Sequence, residues 1–391
     1  MISEEEARRR VLQSIGSLSE RIVPLSEALD CFSARDVVAR LPLPMFDNSA
    51  MDGYAVVASS SKKGTRLHVI GEQPAGIDRG LRISPGEAAR IFTGAPIPAS
   101  ADAVVMQEDT TREVDEMVVN VDVDPGEFIR RRGCDLAEGQ KILGRGERIR
   151  PTTIALLASQ GFADVTVGGQ VNVAIVSTGD EVVAPGSALD QGQIYDSNSI
   201  LLQALVQHCG ASVKSAEHCP DQHERLIQAI QRGIKSHILV ITGGVSVGEH
   251  DLVQAALRTL GAKIDIWRVA IKPGKPFLFG QAGGCAVFGL PGNPVSAFVT
   301  FLQFVYPAIL KMMGANNLDL PKISARLTVD LVNEGDRPHY VRGRIENGTF
   351  VPIGRQESHA LFGLSQSNAL LRIAVGESLR AGEIVDIQIW Y

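Results

Sequence analysis

The stretch VNVAIVSTGDE, residues 171–181, indicates the fold of this chain. Six mostly apolar residues run directly into a turn rich in hydroxyl groups that ends in two acids, which is typical of a buried strand that leads to a ligand-binding loop. The stretch HILVITGG, residues 237–244, repeats the pattern, and helical segments at 200–208 and 224–234 lie between the two. Short apolar strands that alternate with helices predict parallel β-α-β units with helices on both faces of a sheet.

Two further regions have the period of β-structure. Residues 50–140 contain short alternating segments, such as 67–70 and 116–121, that are separated by glycine and proline. This pattern predicts a mostly β domain. After Gly314 the segments ISARLTVDL and IVDIQIW alternate in the same way, so we expect a small C-terminal β-barrel or sandwich.

Helices are predicted at the N-terminus and after residue 294. Ser3 and Glu6 form a capping-box pattern. The apolar residues that follow at helical spacing are Ala7, Val11 and Ile15. This amphipathic helix needs a partner domain to cover it. The apolar stretch 295–310 contains polar residues and is short for a membrane span, so we interpret it as a buried helix.

Composition narrows the class of protein. The chain has 391 residues, of which 45% are hydrophobic, so two to four globular domains are expected. Its net charge of −6 gives no general attraction for nucleic acid. The five cysteines are odd in number and never spaced as C-x-x-C, so the sequence does not indicate a disulfide framework or a zinc site. The first residues, MISEEEARRR, lack the apolar core of a secretory signal. We therefore expect a cytoplasmic protein that does not enter a membrane.

Two glycine-rich loops follow predicted strands. STGDE follows the first strand, and GGVSVGEHD, residues 243–251, follows the second. Such loops expose backbone N–H groups to phosphate oxygens, and their acids are suited to hold Mg²⁺. One loop alone is more often a tight connection, but two in one sheet favour a site for a phosphate ester.

Two proline-containing motifs accompany these loops. Lys272 and Lys275 lie in KPGKP, directly after a predicted strand at 264–271. An isolated lysine pair is more often a solvated turn, but this position favours an oxyanion site. GLPGNP, residues 289–294, has a restricted backbone that allows close approach of a ligand. The same motif is equally suited to be a stiff helix entry, with Asn293 as N-cap and Pro294 at the first helical position.

Three motifs of the middle region are ambiguous on physical grounds. FDNSAMDGYA, residues 46–55, contains Asp47 and Asn48, either of which could make an Asx turn. RIFTGAP, residues 90–96, gives no clear chemical signal. The arginines of RRRGCD, residues 130–135, are typical of a solvated edge.

Seven motifs together resemble the molybdopterin molybdenumtransferase (MoeA) family, which includes the C-terminal domain of gephyrin. They are FDNSAMDGYAV, RIFTGAPIP, STGDE, IYDSNS, TGGVSVGEHD, IKPGKPF and GLPGNPVSA. The match covers nearly the whole chain. The resemblance implies a multidomain α/β plus β fold. Its expected parts are an N-terminal helix (1–18) packed on the α/β domain, a helical linker domain (19–45 and 139–168), an inserted β domain (46–138), a molybdopterin-binding α/β domain (169–315) and a C-terminal β domain (320–391).

The resemblance also implies an enzyme, a molybdenum insertase. It would insert molybdate into adenylyl-molybdopterin with release of AMP and would require Mg²⁺. The family is homodimeric, with a cleft between the α/β domain of one protomer and other domains of its partner. A molybdopterin adenylyltransferase is a possible further partner.

Matching the family motifs assigns roles to individual residues. The implied catalytic residues are Asp52, Thr93, Asp135, Glu181, Asp221, Asp251, Lys272 and Lys275. Asp221 and Asp251 would hold Mg²⁺. The residues implied in binding the pterin adenylate and molybdate are Gly179, Asp180, Gly243, Gly244, Ser246, Gly248, Pro291, Gly292, Asn293, Pro294 and Arg342. Ser246, the two lysines and Arg342 would form the molybdate cradle, while Asp52 and Thr93 would come from the partner protomer.

Two positions depart from the family pattern. Arg268 stands where some relatives have a lysine, and an arginine is a less flexible point charge. Gly363 stands where a serine that contacts molybdate is expected, so this contact is missing or is supplied by Ser365.

Two other functions remain open at this level. One is a molybdopterin adenylyltransferase, because such enzymes have a related α/β domain, although the long β regions argue against it. The other is a binding scaffold that has lost catalysis. The sequence also leaves molybdate and tungstate equally open, because the two oxyanions share their charge and nearly their size.

Overall fold

The computed structural model describes residues 1–244 and 252–390. Two compact units are present. Unit 1 comprises Met1–Arg35, Arg145–Ile154 and Asp164–Tyr391, and unit 2 comprises Asp36–Gly144 and Ala155–Ala163. Three residues that the sequence singled out, Ser246, Gly248 and Asp251, lie outside the described residues, and their roles stay predictions.

The largest element of unit 1 is a seven-stranded sheet. In spatial order its strands are Ile2–Ser3, Lys263–Ala270, Pro276–Ala282, Cys285–Leu290, Ile238–Thr242, Asn172–Thr178 and Ser212–Cys219. The central strands pair in parallel, which confirms the prediction. Pro276–Ala282 differs, because it is antiparallel to both neighbours. The reason is local: a two-residue turn, Gly283-Gly284, connects it to the next strand, and only antiparallel strands can be joined so tightly.

Helices cover both faces of this sheet. They are Ser197–His208, His223–Gly233, Leu252–Thr259, and a long helix built from Pro294–Thr300, the π-helical turn Phe301–Val305 and Tyr306–Met312. Within residues 1–244 and 252–390, only the Pro294–Met312 helix is long and apolar enough to cross a membrane, and 89% of its apolar window is buried inside the protein. The prediction of a buried core helix is confirmed. A shorter helix, Pro151–Ser159, has residues in both units.

The N-terminal segment joins the edge of the sheet. Ile2–Ser3 pairs in parallel with Val269 and Ala270, and the helix Glu4–Gln13 follows directly. The Ser3 hydroxyl accepts the backbone N–H of Glu6 at 3.1 Å, so the predicted cap is confirmed. The Glu6 carboxylate does not complete the capping box and accepts from two arginines of its own helix, Arg9 and Arg10.

The C-terminal part of unit 1 is a closed five-stranded barrel, which decides between the barrel and sandwich predictions. Its strands, in order around the barrel, are Lys322–Leu327, Thr349–Pro352, His339–Glu346, Ala369–Ile373 and Ile384–Ile389. A short helix, Leu361–Ser365, precedes the fourth of them. The smaller pairs of unit 1 are Arg21–Pro24 with Asp164–Val167, Val182–Val183 with Ile194–Tyr195, and Leu331–Val332 with Ser378–Leu379. A 3₁₀ turn lies at Leu25–Glu27.

Unit 2 is mostly β, as predicted. Its six-stranded mixed sheet has the order Ala103–Met106, Gly53–Val56, Glu87–Ile91, Arg66–Gln73, Glu116–Val119 and Thr110–Glu113. Two small pairs accompany it, Val37–Val38 with Lys141–Leu143 and Asn48–Ser49 with Ile129–Arg130. The 3₁₀ turns are Ala58–Ser60 and Gln107–Asp109.

Strand register brings the loops of unit 1 to one edge. Ser177 pairs with Thr242, and Thr242 pairs with Leu290, so three parallel strands end at the same level. Directly after them, Gly243 has φ +84°, and a Cβ at this position would lie 2.1 Å from the carbonyl oxygen of Thr178. Only glycine allows the two neighbouring loops to lie this close.

We expect Gly243→Ala to lower the free energy of unfolding by at least about 2 kcal/mol, because the new methyl meets a backbone carbonyl and the φ angle is unfavourable for alanine. Gly292→Ala is the control. A Cβ there would have Gly243 Cα as its nearest contact, at 3.6 Å, so its loss should stay within about 0.5 kcal/mol. Urea unfolding of both variants measures the difference, and equal stabilities would contradict the close approach.

Candidate functional site

A cavity of about 1270 Å³ opens at this edge of unit 1. It is lined by the loops that follow the sheet strands and by residues of the C-terminal barrel. The structure brings most of the residues that the sequence singled out in unit 1 into its wall: Gly179, Glu181, Asp221, Gly243, Gly244, Lys272, Lys275, Pro291, Gly292, Asn293 and Pro294. Residues distant in sequence therefore share one surface.

One side of the cavity is acidic. The Asp221 carboxylate accepts the Thr178 hydroxyl at 2.5 Å, and the backbone N–H of Asp221 donates to the carboxylate of Asp180 at 3.0 Å. The Glu181 carboxylate lies against Gly179, because a Cβ at position 179 would be 2.8 Å from Glu181 Oε2. Asp180 thus holds the backbone of Asp221 and does not line the cavity. Two exposed carboxylates, those of Glu181 and Asp221, do line it.

The other side is basic. Lys272 and Lys275 line it together with Arg337 and His339. No ion pair of either lysine occurs within residues 1–244 and 252–390. Arg337 pairs with the exposed Asp336 at 3.0 Å. The two ammonium groups therefore remain available to an anionic ligand.

The acidic and basic sides lie far apart along the sheet. Asn172–Thr178 and Lys263–Ala270 are separated by three strands. Four strand spacings of about 4.8 Å give roughly 19 Å between them. Such a cavity suits an extended ligand that has an anionic group at the basic side and that meets the carboxylates of the other side through a cation.

His339 is a neutral group beside the lysines. Burial, followed by the positive charges of Lys272 and Arg342, lowers the pKa of His339 from 6.5 to about 4. Its Nε2 atom is buried and has no hydrogen-bond partner in the described part of the chain. The imidazole is therefore uncharged near neutral pH, which leaves the positive charge of this wall on the lysines and Arg337.

Arg342 lies behind the cavity wall. Its side chain is 0% exposed, and its guanidinium donates to the backbone carbonyl of Glu357 at 3.1 Å and to that of Arg355. Burial lowers the pKa of Arg342. The structure therefore does not bring this predicted residue to the cavity surface, and it instead holds the loop whose Gln356 and Glu357 line the cavity.

The structure does not bring Ser365 to the cavity in place of the expected serine. Gly363 lies behind the wall with Arg342, because a Cβ at Gly363 would be 3.7 Å from Arg342 Nη2. The Ser365 hydroxyl donates to the Phe362 carbonyl at 2.8 Å within its own helix. Both residues are absent from the lining of the cavity.

Two further lining residues belong to a motif to which the sequence analysis gave no role. Asp196 is buried, caps the helix Ser197–His208 and accepts the Ser177 hydroxyl at 2.5 Å. Asn198 is 8% exposed, and its Nδ2 donates to Thr242 Oγ1 at 2.9 Å and to the Gly292 carbonyl at 2.7 Å. These polar side chains fasten three strand-end loops to each other. Their density within IYDSNS was a signal for such a role.

Asn293 and Pro294 form the helix entry only in part. Pro294 occupies the first turn, as predicted, and Asn293 is at the N-cap position without a side-chain capping bond. The Asn293 amide donates to Ser358 Oγ at 2.9 Å. The predicted N-cap position of Asn293 is therefore confirmed, although its side chain binds the neighbouring loop and makes no capping bond.

Asp52, Thr93 and Asp135 lie in unit 2. Asp52 Oδ1 accepts both the backbone N–H and the hydroxyl of Thr93, each at 2.8 Å. These bonds lower the pKa of Asp52, the backbone N–H contributing most. Asp135 is exposed. The structure thus brings Asp52 and Thr93 together as one exposed pair.

One ion pair links two of the three ambiguous motifs of unit 2, residues 46–55 and 130–135. The Asp47 carboxylate accepts the backbone N–H of Arg132 and the guanidinium of Arg131, both at 2.7 Å. The Arg132 N–H contributes most to lowering the pKa of Asp47. An Asx turn at Asp47 was therefore a wrong prediction, because its carboxylate binds the distant arginine segment.

The donor set allows a partial test for a divalent cation. Among the residues that the structure describes, no group of three or more His, Cys, Asp or Glu side chains could hold a metal ion. On the acidic side of the cavity, Asp221 supplies an exposed oxygen ligand with a fixed orientation. Because Mg²⁺ is usually held by one or two carboxylates with water and substrate phosphates, this arrangement is compatible with it.

Comparisons with known proteins cover the chain in three parts. Residues 2–161 match the MoeA N-terminal region (domain I and II), residues 174–311 a probable molybdopterin binding domain, and residues 324–390 the MoeA C-terminal region (domain IV). The structure is similar to a molybdopterin biosynthesis MoeA protein from Pyrococcus horikoshii, with a TM-score of 0.85, 32% identity and 100% coverage of both chains.

Curated relatives extend over the same length. A molybdopterin molybdenumtransferase of Haemophilus influenzae is 37% identical, covering 99% of this chain and 98% of the relative. Molybdopterin molybdenumtransferase 2 of Mycobacterium tuberculosis is 35% identical, covering 100% and 99% respectively. The chain therefore belongs to the molybdopterin molybdenumtransferase (MoeA) family.

Proposed function

We propose that this protein is a molybdopterin molybdenumtransferase. It inserts molybdate into adenylyl-molybdopterin, releases AMP and yields the molybdenum cofactor. The names of full-length relatives support this activity. The observation in this chain that best supports the activity is one cavity that has glycine-rich, acidic loops on one side and, on the other, two lysines without ion pairs among the described residues.

The basic side is the proposed site for molybdate. Molybdate is a dianion, and an anion enters a partly buried cavity only where cations and donors replace its hydration shell. Lys272 and Lys275 provide two ammonium groups on a loop restricted by Pro273 and Pro276. Their restricted backbone lowers the cost of holding the oxyanion beside the dithiolene sulfurs of the pterin.

The acidic side is the proposed site for the adenylate. Asp221 and Asp251 would hold Mg²⁺, with Glu181 nearby, and Gly179, Gly243 and Gly244 let the loop backbone approach the phosphates. When bound, Mg²⁺ would neutralise the phosphates that link AMP to the pterin. Thr178 and Asp180 keep the Asp221 carboxylate in position through the two hydrogen bonds described above. No protein nucleophile is needed, because water cleaves the phosphate linkage.

Lys275→Ala is expected to weaken molybdate binding by about 10- to 100-fold, the effect of losing one charge-assisted hydrogen bond, while binding of the pterin adenylate stays unchanged. Molybdate-dependent AMP release and calorimetric titration with molybdate measure this. Lys235→Ala is the matched control, because Lys235 is exposed and lies outside the cavity lining. Unchanged AMP release in Lys275→Ala at limiting molybdate would remove this lysine from the site.

The neutral imidazole of His339 makes the stability of the folded protein depend on pH. The folded state disfavours the protonated ring, so the stability that His339 contributes is fully present above its ordinary pKa of 6.5 and is lost as the pH falls toward about 4. A histidine here avoids adding a further fixed positive charge beside Lys272 near neutral pH.

We expect the free energy of unfolding to fall between pH 6.5 and 4, and we expect His339→Gln, which does not titrate, to flatten that part of the profile by on the order of 1 kcal/mol. Urea unfolding at several pH values measures it. His68→Gln is the control, because His68 is exposed in unit 2 and should leave the profile unchanged. A profile of His339→Gln parallel to the unsubstituted protein would show that this ring is not the titrating group.

We further propose a cytoplasmic homodimer in which the N-terminal helix packs on the α/β domain and the other three domains have the bounds given in the sequence analysis. In this arrangement Asp52 and Thr93 of one protomer face the cavity of its partner, and Asp135 supports the pocket. The hydrogen-bonded pair of Asp52 and Thr93 supports a polar role, since both side chains are exposed in unit 2. A molybdopterin adenylyltransferase is the proposed source of the adenylylated substrate.

Mixing two inactive variants tests the shared site. Asp52→Asn and Asp221→Asn alter different units, so a dimer with composite sites regains one intact site in each mixed dimer. After random exchange of protomers, AMP release should recover to about a quarter of the unsubstituted activity, because half of the dimers are mixed and each has one intact site of two. Mixing either variant with itself is the control. If both residues serve the site of their own protomer, mixing restores nothing.

A further inference from the structure

The backbone of Lys272 is bonded on both sides to the C-terminal barrel. Its N–H donates to the Pro338 carbonyl at 2.9 Å, and its carbonyl accepts the N–H of Tyr340 at 2.7 Å. Residue 272 thus forms a parallel bridge with His339, at the start of the strand His339–Glu346. The position of the Lys272 side chain therefore depends on where this barrel strand lies.

The Tyr340 side chain fixes that strand to the N-terminal helix. Tyr340 is 1% exposed, and its hydroxyl donates to Oε1 of Glu4, which is itself 8% exposed. Oε2 of Glu4 accepts Nε of Arg372 at 3.0 Å. Arg372 is the register partner of Tyr340 on the neighbouring strand and also pairs with Glu5 at 2.6 Å. Two barrel strands are therefore held by one buried carboxylate.

The same N-terminal segment is bonded to the strand that leads into the lysine loop. Ile2 pairs with Val269 and Ser3 with Ala270, two residues before Lys272. The contacts form a closed ring, which runs from Ser3 through Ala270 to Lys272, from there to Tyr340, and back through Glu4. A buried carboxylate with two donors has one favourable arrangement, so the ring has little freedom to open.

We propose that Glu4, Tyr340 and Arg372 form a positioning clamp that holds Lys272 at the correct place for its oxyanion. None of the three lines the cavity, so the clamp acts through the backbone of Lys272. This inference rests on the proposed function, because it assumes that Lys272 binds molybdate. Burial, followed by the charge of Glu4, raises the pKa of Tyr340 well above its ordinary value, so the hydroxyl remains a donor.

The test compares binding of two ligands by the full-length protein. Tyr340→Phe and Glu4→Gln each remove one bond of the clamp and keep the size of the side chain. We expect either change to raise the Kd for molybdate about 5- to 20-fold through misplacement of the ammonium group. The Kd for adenylyl-molybdopterin should change less than about twofold, because its phosphates bind at the other side of the cavity.

Two controls separate positioning from general loss of stability. Arg8→Ala removes an ion pair from the same helix, to Asp319 at 2.6 Å, outside the ring. Ile387→Val deletes one methylene in the barrel core, on another strand. Both should bind molybdate as the unsubstituted protein does. Arg372→Lys keeps the charge and should retain affinity closer to the unsubstituted value than Tyr340→Phe.

The outcomes are distinguishable with Lys272→Met as a reference. If Lys272→Met loses molybdate binding while Tyr340→Phe and Glu4→Gln bind like the controls, the clamp is overturned and the proposed function stands. If Lys272→Met binds molybdate normally, the oxyanion role of this loop fails, and the clamp fails with it. Equal weakening of both ligands in the clamp variants would indicate general disorder and would also overturn the inference.

Discussion

The register of three parallel strands is the constraint on which the site depends. Asn172–Thr178, Ile238–Thr242 and Cys285–Leu290 are hydrogen-bonded so that all three end at one level. They are buried on both faces, and slipping one of them by a single residue would turn its apolar side chains from one core to the other. The positions of the glycine-rich loops are therefore fixed by core packing, and the loops need little structure of their own.

Polar side chains then use this edge to fix the loops to each other. Asn198 bridges two of the strand ends through Thr242 and Gly292, and Asp196 holds Ser177. Each such bond satisfies a buried polar group that would otherwise cost roughly 1–3 kcal/mol. Arg342 fixes a loop of the barrel in the same way, because its buried guanidinium donates to backbone carbonyls of the loop that borders the cavity. These hydrogen bonds hold the strand-end loops and the barrel loop of the cavity wall in fixed positions.

The charged side chains of the cavity that form no ion pair within the described part of the chain are the ones available to a ligand. The described ion pairs of this unit lie mostly on its surface, whereas Lys272 and Lys275 take part in none of them. On the opposite side, a hydrogen bond from Thr178 holds the Asp221 carboxylate in a fixed orientation, and the exposed Glu181 carboxylate lies in the same wall. Because opposite charges so far apart along one sheet interact weakly across water, the separation is stable without a ligand. In the proposed function, the carboxylates would meet the phosphates through Mg²⁺ and the lysines would meet the oxyanion, so this separation fits the proposed substrates.

The sequence by itself determined the class of fold and most of the unit 1 site. Apolar strands, glycine-rich turns and the KPGKP loop are local patterns, and the loops at the ends of parallel strands must share an edge. The sequence did not predict the antiparallel strand Pro276–Ala282, the roles of Asp196 and Asn198, or the place of His339 beside Lys272. Nor did it indicate that Arg342 lies behind the wall. These features depend on contacts between residues far apart in the chain: Tyr340 meets Glu4 across 336 positions. No local period encodes such a pairing, because it arises only when the barrel strand and the N-terminal helix are packed against the same sheet.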